Sequence, residues 1–278
     1  LAIRRLSQRL ARGELSSVAL LQSCLDRISA NDAKLGAFVH LFDDALAQAT
    51  AADKARVGGS AVGPFHGIPI AVKDLFHVQG VPTRAGSVSY AAPLHDPTAS
   101  AVQRLKKAGF IVVGKTSTDE FAFGAWGVNE VSKTPWNPRD LSLHRVAGGS
   151  SSGSAVAVSA GLVPVALGSD TGASSRVPAA FCGCVGFKPS HGLIPADGVV
   201  PLSPSLDTVG FLASSVDDLQ YLFPLLAGTL PLREPVRANV GIQGARIGIL
   251  PKTMLESCDK EVADTYTEAV EILRTQGA

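Results

Sequence analysis

The chain has 278 residues, of which 46% are hydrophobic and 18% charged, and its formal net charge at pH 7 is +1. A chain this long and this apolar can bury a sizeable core, which excludes an intrinsically disordered protein and predicts one large domain or two small ones. The balanced charge gives no sign of a protein that binds nucleic acid or a membrane surface. Four cysteines are too few for a disulfide scaffold, and no apolar run reaches about 20 residues, the length of a spanning helix. We therefore expect a cytoplasmic protein of the α/β class.

Helical and strand patterns alternate along the chain. Ser16 or Ser17 can cap the first helix, and apolar residues at helical spacing predict further helices. The predicted helices cover residues 17–30, 43–55, 99–108, 154–160, a segment that begins at 214, and 260–276. Continuous apolar runs predict buried strands at 67–72, 110–113, 163–167, 209–212 and 246–250. This alternation predicts a mixed, mostly parallel sheet sandwiched between helices.

Two features concern the ends of the chain. The first residue is Leu1, and Met254 is the only methionine. The last predicted helix ends at Gly277, where a returning parallel strand is expected. We therefore expect the chain to be the N-terminal part of a longer protein, with the C-terminal part of the fold missing from it.

One short motif resembles a phosphate-binding loop. Gly109 is followed after four residues by Gly114, Lys115 and Thr116. In a phosphate-binding loop the intervening residues form a turn of free N–H groups, whereas residues 110–113 here read as a strand. We therefore expect a core strand that ends in an exposed Lys-Thr turn, and no nucleotide site.

A second motif is the Gly-x-Ser-x-Gly pattern of residues 149–153, which would make Ser151 the nucleophile of an α/β-hydrolase. The chain order of such enzymes requires an acid and then a histidine after the serine. Only Asp170 and His191 meet that order. Residues 142–147 do not form the strong strand that should lead into the motif, so this hypothesis is the weaker one.

A third pattern consists of segments spread along the chain. They are GIPIAVKD at 67–74, GGSSSGS at 148–154, GSDTGASSRVP at 168–178 and AAFCGCVGFKP at 179–189. In this order they closely resemble the amidase signature family, serine hydrolases of amides that use a Ser–cis-Ser–Lys triad. The resemblance covers nearly the whole chain. It implies the amidase signature fold, with residues 1–278 as the N-terminal part of a single domain and residues 67–189 as its signature core.

The resemblance implies three catalytic residues: Lys73 as the base, Ser150 as the bridging serine and Ser174 as the nucleophile. It also implies a cis peptide bond between Gly149 and Ser150. A serine hydroxyl is a poor nucleophile until a base takes its proton, and a lysine is such a base only when it is neutral. The apolar residues 70–72 suit a buried Lys73, and burial would lower its pKa.

The resemblance assigns the oxyanion hole to the loop that carries the nucleophile. The donors would be the backbone N–H groups of Thr171, Gly172, Ala173 and Ser174. Asp170 and Arg176 flank this loop, and we expect them to brace it as an ion pair. Ala173 and Ser152 stand where the family pattern has glycine. If position 173 needs a positive φ, its Cβ costs about 1–2 kcal/mol.

The expected activity is hydrolysis of a carboxylic amide through an acyl-enzyme on Ser174, with release of ammonia or an amine. We expect no metal and no organic cofactor. The expected partner is a small-molecule amide substrate, without direct contact to nucleic acid or membrane, and a homodimer is left open. One alternative is the glutamine-hydrolysing subunit of a tRNA-dependent amidotransferase, because residues 115–121 and 205–207 look similar to such subunits. Another is an inactive scaffold with an altered nucleophile loop.

Overall fold

The computed structural model describes residues 2–229 and 241–278, which belong to two compact units. The first unit contains the helices α1 (Ile3–Ala11), α2 (Ser17–Leu35), α3 (Ala45–Val57), α4 (Ser100–Lys107), α5 (Ser152–Ser159), α6 (Arg176–Cys182) and α7 (Val216–Ala227). The second unit contains α8 (Lys252–Leu255) and α9 (Lys260–Thr275). Among the described residues, none of the helices has the length and apolar character that a membrane crossing requires.

A six-stranded sheet lies at the centre of the first unit. Its strands are β1 (Phe38–Leu41), β2 (Pro69–Lys73), β3 (Ile111–Thr116), β4 (Val165–Asp170), β5 (Val185–Phe187) and β6 (Thr208–Ala213), in the order β1-β3-β2-β4-β6-β5. Strands β2, β3, β4 and β5 run in one direction, and β1 and β6 run in the opposite direction. The predicted α/β class with a mixed, mostly parallel sheet is confirmed.

The centre of the sheet is buried on both faces. Every residue of β2, β3 and β4 is buried, and successive side chains of a strand point to opposite faces. Ile70 and Val72 pack in the core on one face, whereas Ala71 and Ala166 pack in the core on the other face, where the residues of α5 also lie. This continuous burial explains why the strands read as unbroken apolar runs.

Helix α5 lies very close to the end of β3. A Cβ atom on Gly153 would be 2.4 Å from Ser117 N and 2.3 Å from Ala37 O, so only glycine permits this approach. The close contact fixes the start of α5, and therefore the loop of residues 148–151 that precedes it, against the carboxyl end of the sheet.

The predicted elements of the first unit occur within a few residues of their expected positions. The Oγ atom of Ser16 caps α2 by accepting the N–H of Ala19 at 3.0 Å, but the helix continues to Leu35. The elements α1, β1, α6 and β5 are additional to the predicted ones. Strands β1 and β5 have four and three residues, and α6 contains Pro178, so their patterns are too short or too irregular to indicate an element.

The predicted strand at 246–250 is wrong, whereas the helix predicted at 260–276 is confirmed as α9. Residues 246–250 lie outside any strand, and Ile249 and Leu250 are about half exposed. A strand requires a partner strand, and the described part of the second unit contains no strand. The backbone N–H of Leu250 donates instead to Tyr266 Oη at 2.6 Å.

Candidate active site

Three segments of the first unit meet at the carboxyl ends of β2 and β4. These two strands are parallel neighbours, so their carboxyl ends lie at the same edge of the sheet. Lys73 is the last residue of β2, and Asp170 is the last residue of β4. The loop before α5 brings Ser150 to the same place, where its Oγ lies 2.7 Å from Lys73 Nζ.

Lys73 is fully buried and has only hydroxyl groups as hydrogen-bond partners among the described residues. Its Nζ lies 2.7 Å from Ser150 Oγ and 2.9 Å from Ser169 Oγ. Burial lowers the pKa of Lys73 to about 7, although the negative charges of Asp119, Asp170 and Asp207 act to raise it. A substantial fraction of this lysine is therefore neutral near pH 7, and a neutral amine can accept a proton.

Ser150 is fully buried, and a cis peptide bond joins it to Gly149. Position 149 has no room for a side chain, because a Cβ atom there would lie 2.6 Å from both carboxylate oxygens of Asp119. Ser152, which departs from the family pattern, is the first residue of α5, and its hydroxyl donates to Ser117 O at 3.4 Å.

Ser174 lies on the loop between β4 and α6 and is 7% exposed. Its carbonyl oxygen accepts the N–H of Ser151 at 3.0 Å, which ties the loop to the start of α5. No hydrogen bond joins the Ser150 and Ser174 hydroxyls, both of which lie in the described part of the chain. The Lys73–Ser150 contact is thus formed, and the Ser150–Ser174 contact is not.

Asp170 organises the loop that carries Ser174. Its carboxylate accepts the N–H groups of Ala173 at 2.7 Å and Ser175 at 3.1 Å, and both Nε and Nη2 of Arg176 at 3.0 Å. Burial acts to raise the pKa of Asp170, but these hydrogen bonds outweigh burial and lower it.

One of the four expected oxyanion donors, the N–H of Ala173, already has a hydrogen-bond partner. The N–H of Ala173 is already bound to Asp170, so it is not free to face a substrate. The N–H groups of Thr171, Gly172 and Ser174 donate to no group among the described residues. Ala173 has a φ of +104°, so position 173 does adopt a positive φ.

Ser169 is a site residue to which the sequence analysis assigned no role. Its hydroxyl accepts a hydrogen bond from Lys73, and its backbone bonds to the Ser151 hydroxyl. The available signal was its place in the segment 168–178, directly before Asp170 at the end of a strand.

The structure does not bring together the alternative residues Ser151, Asp170 and His191. Ser151 is fully buried, and its Oγ donates to Ser169 O at 3.1 Å and accepts from Ser169 N at 3.3 Å. His191 is exposed, and its Nδ1 lies 3.0 Å from the carbonyl oxygen of Asp207. This arrangement does not supply a base to Ser151.

The residues of the phosphate-loop motif form strand β3, as expected. The expected exposed Lys-Thr turn is wrong, because Lys115 is fully buried and its Nζ lies 3.0 Å from Asp74 Oδ1. The same Nζ donates to Phe76 O at 2.7 Å and to Thr83 Oγ1 at 2.8 Å. These partners make burial of the cation tolerable.

Comparison with known proteins identifies the family. Residues 19–278 match the Amidase family, and the chain belongs to that family. The resemblance to amidase signature enzymes is therefore confirmed.

Several relatives are similar over almost all of this chain. One subunit of the glutamyl-tRNA(Gln) amidotransferase of Chloroflexus aggregans is 42% identical over 280 residues, which cover 97% of this chain and 57% of that protein. The 2-amino-5-chloromuconic acid deaminase of Comamonas testosteroni is 41% identical, with 97% of this chain and 58% of that protein covered. The solved structure of the peptide amidase from Stenotrophomonas maltophilia matches with a TM-score of 0.87 and 36% identity, covering 99% of this chain and 60% of that chain. The chain thus spans less than two thirds of the length of each relative.

Proposed function

We propose that the protein is an amidase that hydrolyses a carboxylic amide through an acyl-enzyme on Ser174, with Ser150 and neutral Lys73 as the proton relay. The observation that carries this proposal is the buried Lys73, whose Nζ lies 2.7 Å from Ser150 Oγ and whose pKa burial lowers to about 7. A lysine of this kind can act as a general base near neutral pH. Membership of the Amidase family supports the same chemistry.

The first step forms the acyl-enzyme. Ser174 Oγ bonds to the amide carbonyl carbon, its proton passes to Ser150, and Ser150 passes its own proton to Lys73. The tetrahedral intermediate then carries a negative charge on the former carbonyl oxygen, while Lys73 carries a positive charge. When the C–N bond breaks, the proton returns from Lys73 through Ser150 to the leaving nitrogen. Water then attacks the ester carbonyl and loses a proton through Ser150 to Lys73. The bond between the carbonyl carbon and Ser174 Oγ breaks, the proton returns along the same path to Ser174 Oγ, and the carboxylic acid is released.

This relay requires a hydrogen bond between Ser174 and Ser150, which is not formed in the structure. Catalytic hydrogen bonds often tighten only when the substrate binds. Ser174 is 7% exposed as a whole residue.

The negative charge of the intermediate needs donors that are free. We assign this role to the N–H groups of Thr171, Gly172 and Ser174, because the Ala173 N–H is bound to Asp170. In this assignment Asp170 and Arg176 hold the loop in shape and do not touch the substrate. Loss of one such donor in other serine hydrolases costs about 2.7–4 kcal/mol.

A second candidate function is the glutamine-hydrolysing subunit of a tRNA-dependent amidotransferase. The 42% identity to the Chloroflexus aggregans subunit favours it. The substrate would then be glutamine, and the ammonia would pass to a partner subunit, without direct contact between this chain and nucleic acid. Ammonia release from glutamine that depends on a partner subunit distinguishes this function from that of an independent amidase.

Three further expectations belong to the same proposal. Residues 1–278 form part of a single amidase domain whose signature core is residues 67–189, and the protein works in the cytoplasm on a small-molecule amide. A homodimer is one option for an independent amidase. Size measurement of the full-length protein in solution separates this option from a monomer.

The central test is labelling of the full-length protein with a fluorophosphonate, followed by peptide mapping. We expect the label on Ser174 in the wild type and no label in Lys73→Ala. The control variant Lys34→Ala, at an exposed lysine, should label normally. A label on Ser151 would favour the α/β-hydrolase alternative, and a folded protein without any labelled serine would favour the inactive scaffold.

A further inference from the structure

Asp119 is a buried carboxylate that the proposed relay does not use. It is 2% exposed, and its Oδ2 accepts one long hydrogen bond from the N–H of Gly127, at 3.3 Å. Its Oδ1 is buried without a hydrogen-bond partner among the described residues. An unpartnered buried carboxylate oxygen is costly, so its presence calls for a physical reason.

The carboxylate of Asp119 packs against the residue that precedes the bridging serine. A Cβ atom on Gly149 would lie 2.6 Å from both oxygens of Asp119. The loop that follows Asp119 holds the same segment by its backbone. The N–H groups of Gly148 and Gly149 donate to the carbonyl oxygens of Trp126 at 3.1 Å and Ala125 at 2.8 Å. Asp119 therefore belongs to the immediate support of the cis peptide segment.

Three carboxylates have charges that act on Lys73, namely Asp119, Asp170 and Asp207. Asp119 differs from the other two in its partners. Asp170 is bound by both nitrogens of the Arg176 fork at 3.0 Å, which offsets its charge. The carboxylate of Asp207 accepts hydrogen bonds from one hydroxyl and two backbone amides. Among the described residues Asp119 has no cation in contact and accepts a single long hydrogen bond, so it has the fewest partners of the three carboxylates.

A fourth carboxylate near Lys73, that of Asp74, forms an ion pair with another lysine. Asp74 follows Lys73 directly in the chain but pairs with Lys115 at 3.0 Å. The charge of Asp74 is not among those that act on Lys73. Among the three charges that act to raise the pKa of Lys73, that of Asp119 has the largest effect, so Asp119 is the carboxylate best placed to balance a proton on Lys73.

We propose that Asp119 is a positioning residue of the amide-hydrolysing site, which holds the Gly149–Ser150 segment and supplies the counter-charge for the ammonium that forms on Lys73. The inference rests on the proposed function. In a buried site an ammonium without a counter-charge is costly, and a nearby carboxylate lowers that cost. The charge of Asp119 raises the pKa of Lys73 against the effect of burial, and burial in turn raises the pKa of Asp119.

The test is the pH dependence of fluorophosphonate labelling of Ser174 in the full-length Asp119→Asn variant. Asparagine keeps the shape and can still accept the Gly127 N–H, but it removes the charge. The pKa of Lys73 then falls, so the lower limb of the profile moves down by about 1 pH unit. The maximal rate falls about 10-fold, because the ammonium loses its counter-charge. The matched control Glu120→Gln removes the same charge at the next, exposed position and should change neither quantity.

The outcomes separate the inference from the function on which it rests. An Asp119→Asn profile with an unmoved lower limb overturns the inference even if the rate falls, because a merely structural role would slow labelling without shifting the limb. Absence of label on Ser174 in the wild type contradicts the proposed function instead. If Asp119→Asn does not fold, the same profile is measured with Asp119→Ser, and the same results decide.

Discussion

The backbone N–H of Ala173 donates a 2.7 Å hydrogen bond to Asp170 Oδ1, while Ala173 itself has a φ of +104°. An L-residue is strained in this region because its Cβ atom crowds the backbone. The Asp170 carboxylate, held in turn by Arg176, fixes the strained residue in place. The loop that carries Ser174 is thus kept in shape by a buried anion, although its residue 173 does not favour the conformation.

Ala173→Gly should raise the free energy of unfolding by about 1 kcal/mol, because glycine adopts a positive φ without a Cβ clash. Denaturant unfolding of the full-length protein measures this change. The control is Ala180→Gly, at an exposed position of helix α6, which should lower stability by about 1 kcal/mol. Equal losses in the two variants would show that residue 173 is not strained.

Arg176→Gln should make the protein unfold at a higher pH on acidification. The pKa of Asp170 is lowered in the folded protein, so its carboxylate stabilises the fold above the unfolded pKa, and this contribution is lost as pH falls through the folded pKa. Loss of the guanidinium raises the folded pKa, and the loss of stability then begins earlier. Acid titration followed by circular dichroism tests this. Arg12→Gln, which removes an exposed pair with Glu14, should leave the transition in place.

Lys73→Met should abolish labelling of Ser174. The free energy of unfolding of this variant, relative to that of the wild type, should be higher at low pH than at high pH. With a folded pKa of about 7, wild-type Lys73 is protonated in both states below pH 7, where burial of its charge costs most. Between pH 7 and about 10.4 only the unfolded chain stays protonated, so wild-type stability rises with pH. The stability difference between variant and wild type should therefore shrink from pH 6 to pH 9. A difference that is constant with pH would contradict the lowered pKa.

Ser169→Ala should slow labelling of Ser174 about 10-fold, because Lys73 loses one of its two hydroxyl partners and is less well oriented. The labelling rate at saturating pH is the measurement. Ser117→Ala removes another buried hydroxyl, which donates to Gly36 O at 2.8 Å and does not bond to Lys73. A similar rate in both variants would mean that Ser169 does not orient the lysine.

The sequence predicts well what depends on local pattern. The apolar strand before Lys73 and the Gly/Ser segment before α5 are local signals, and the helix capped by Ser16 begins where expected. The strand assigned to 246–250 failed because an apolar run indicates a strand only when a partner strand is present.

Contacts between distant segments explain what the sequence analysis missed. Lys115 is buried because Asp74 and Thr83, more than thirty positions earlier in the chain, supply its partners. Likewise, Ser169 belongs to the site because it contacts Lys73, and Asp119 belongs to it because it packs against Gly149. No spacing rule connects such positions, since the three-dimensional pairing of strands brings them together.

The distance along the chain between Lys73 and its two hydroxyl partners has a consequence for how the protein folds. Lys73 lies 77 positions from Ser150 and 96 from Ser169, so its environment exists only after β2 and β4 have paired. Such long-range pairing is slow compared with the formation of helices, and it cannot occur on a ribosome before β4 has been synthesised. The lysine therefore keeps an ordinary pKa in the growing chain and reaches its lowered pKa only when this pairing is complete. Under the proposed relay, labelling of Ser174 therefore requires that β2 and β4 have paired.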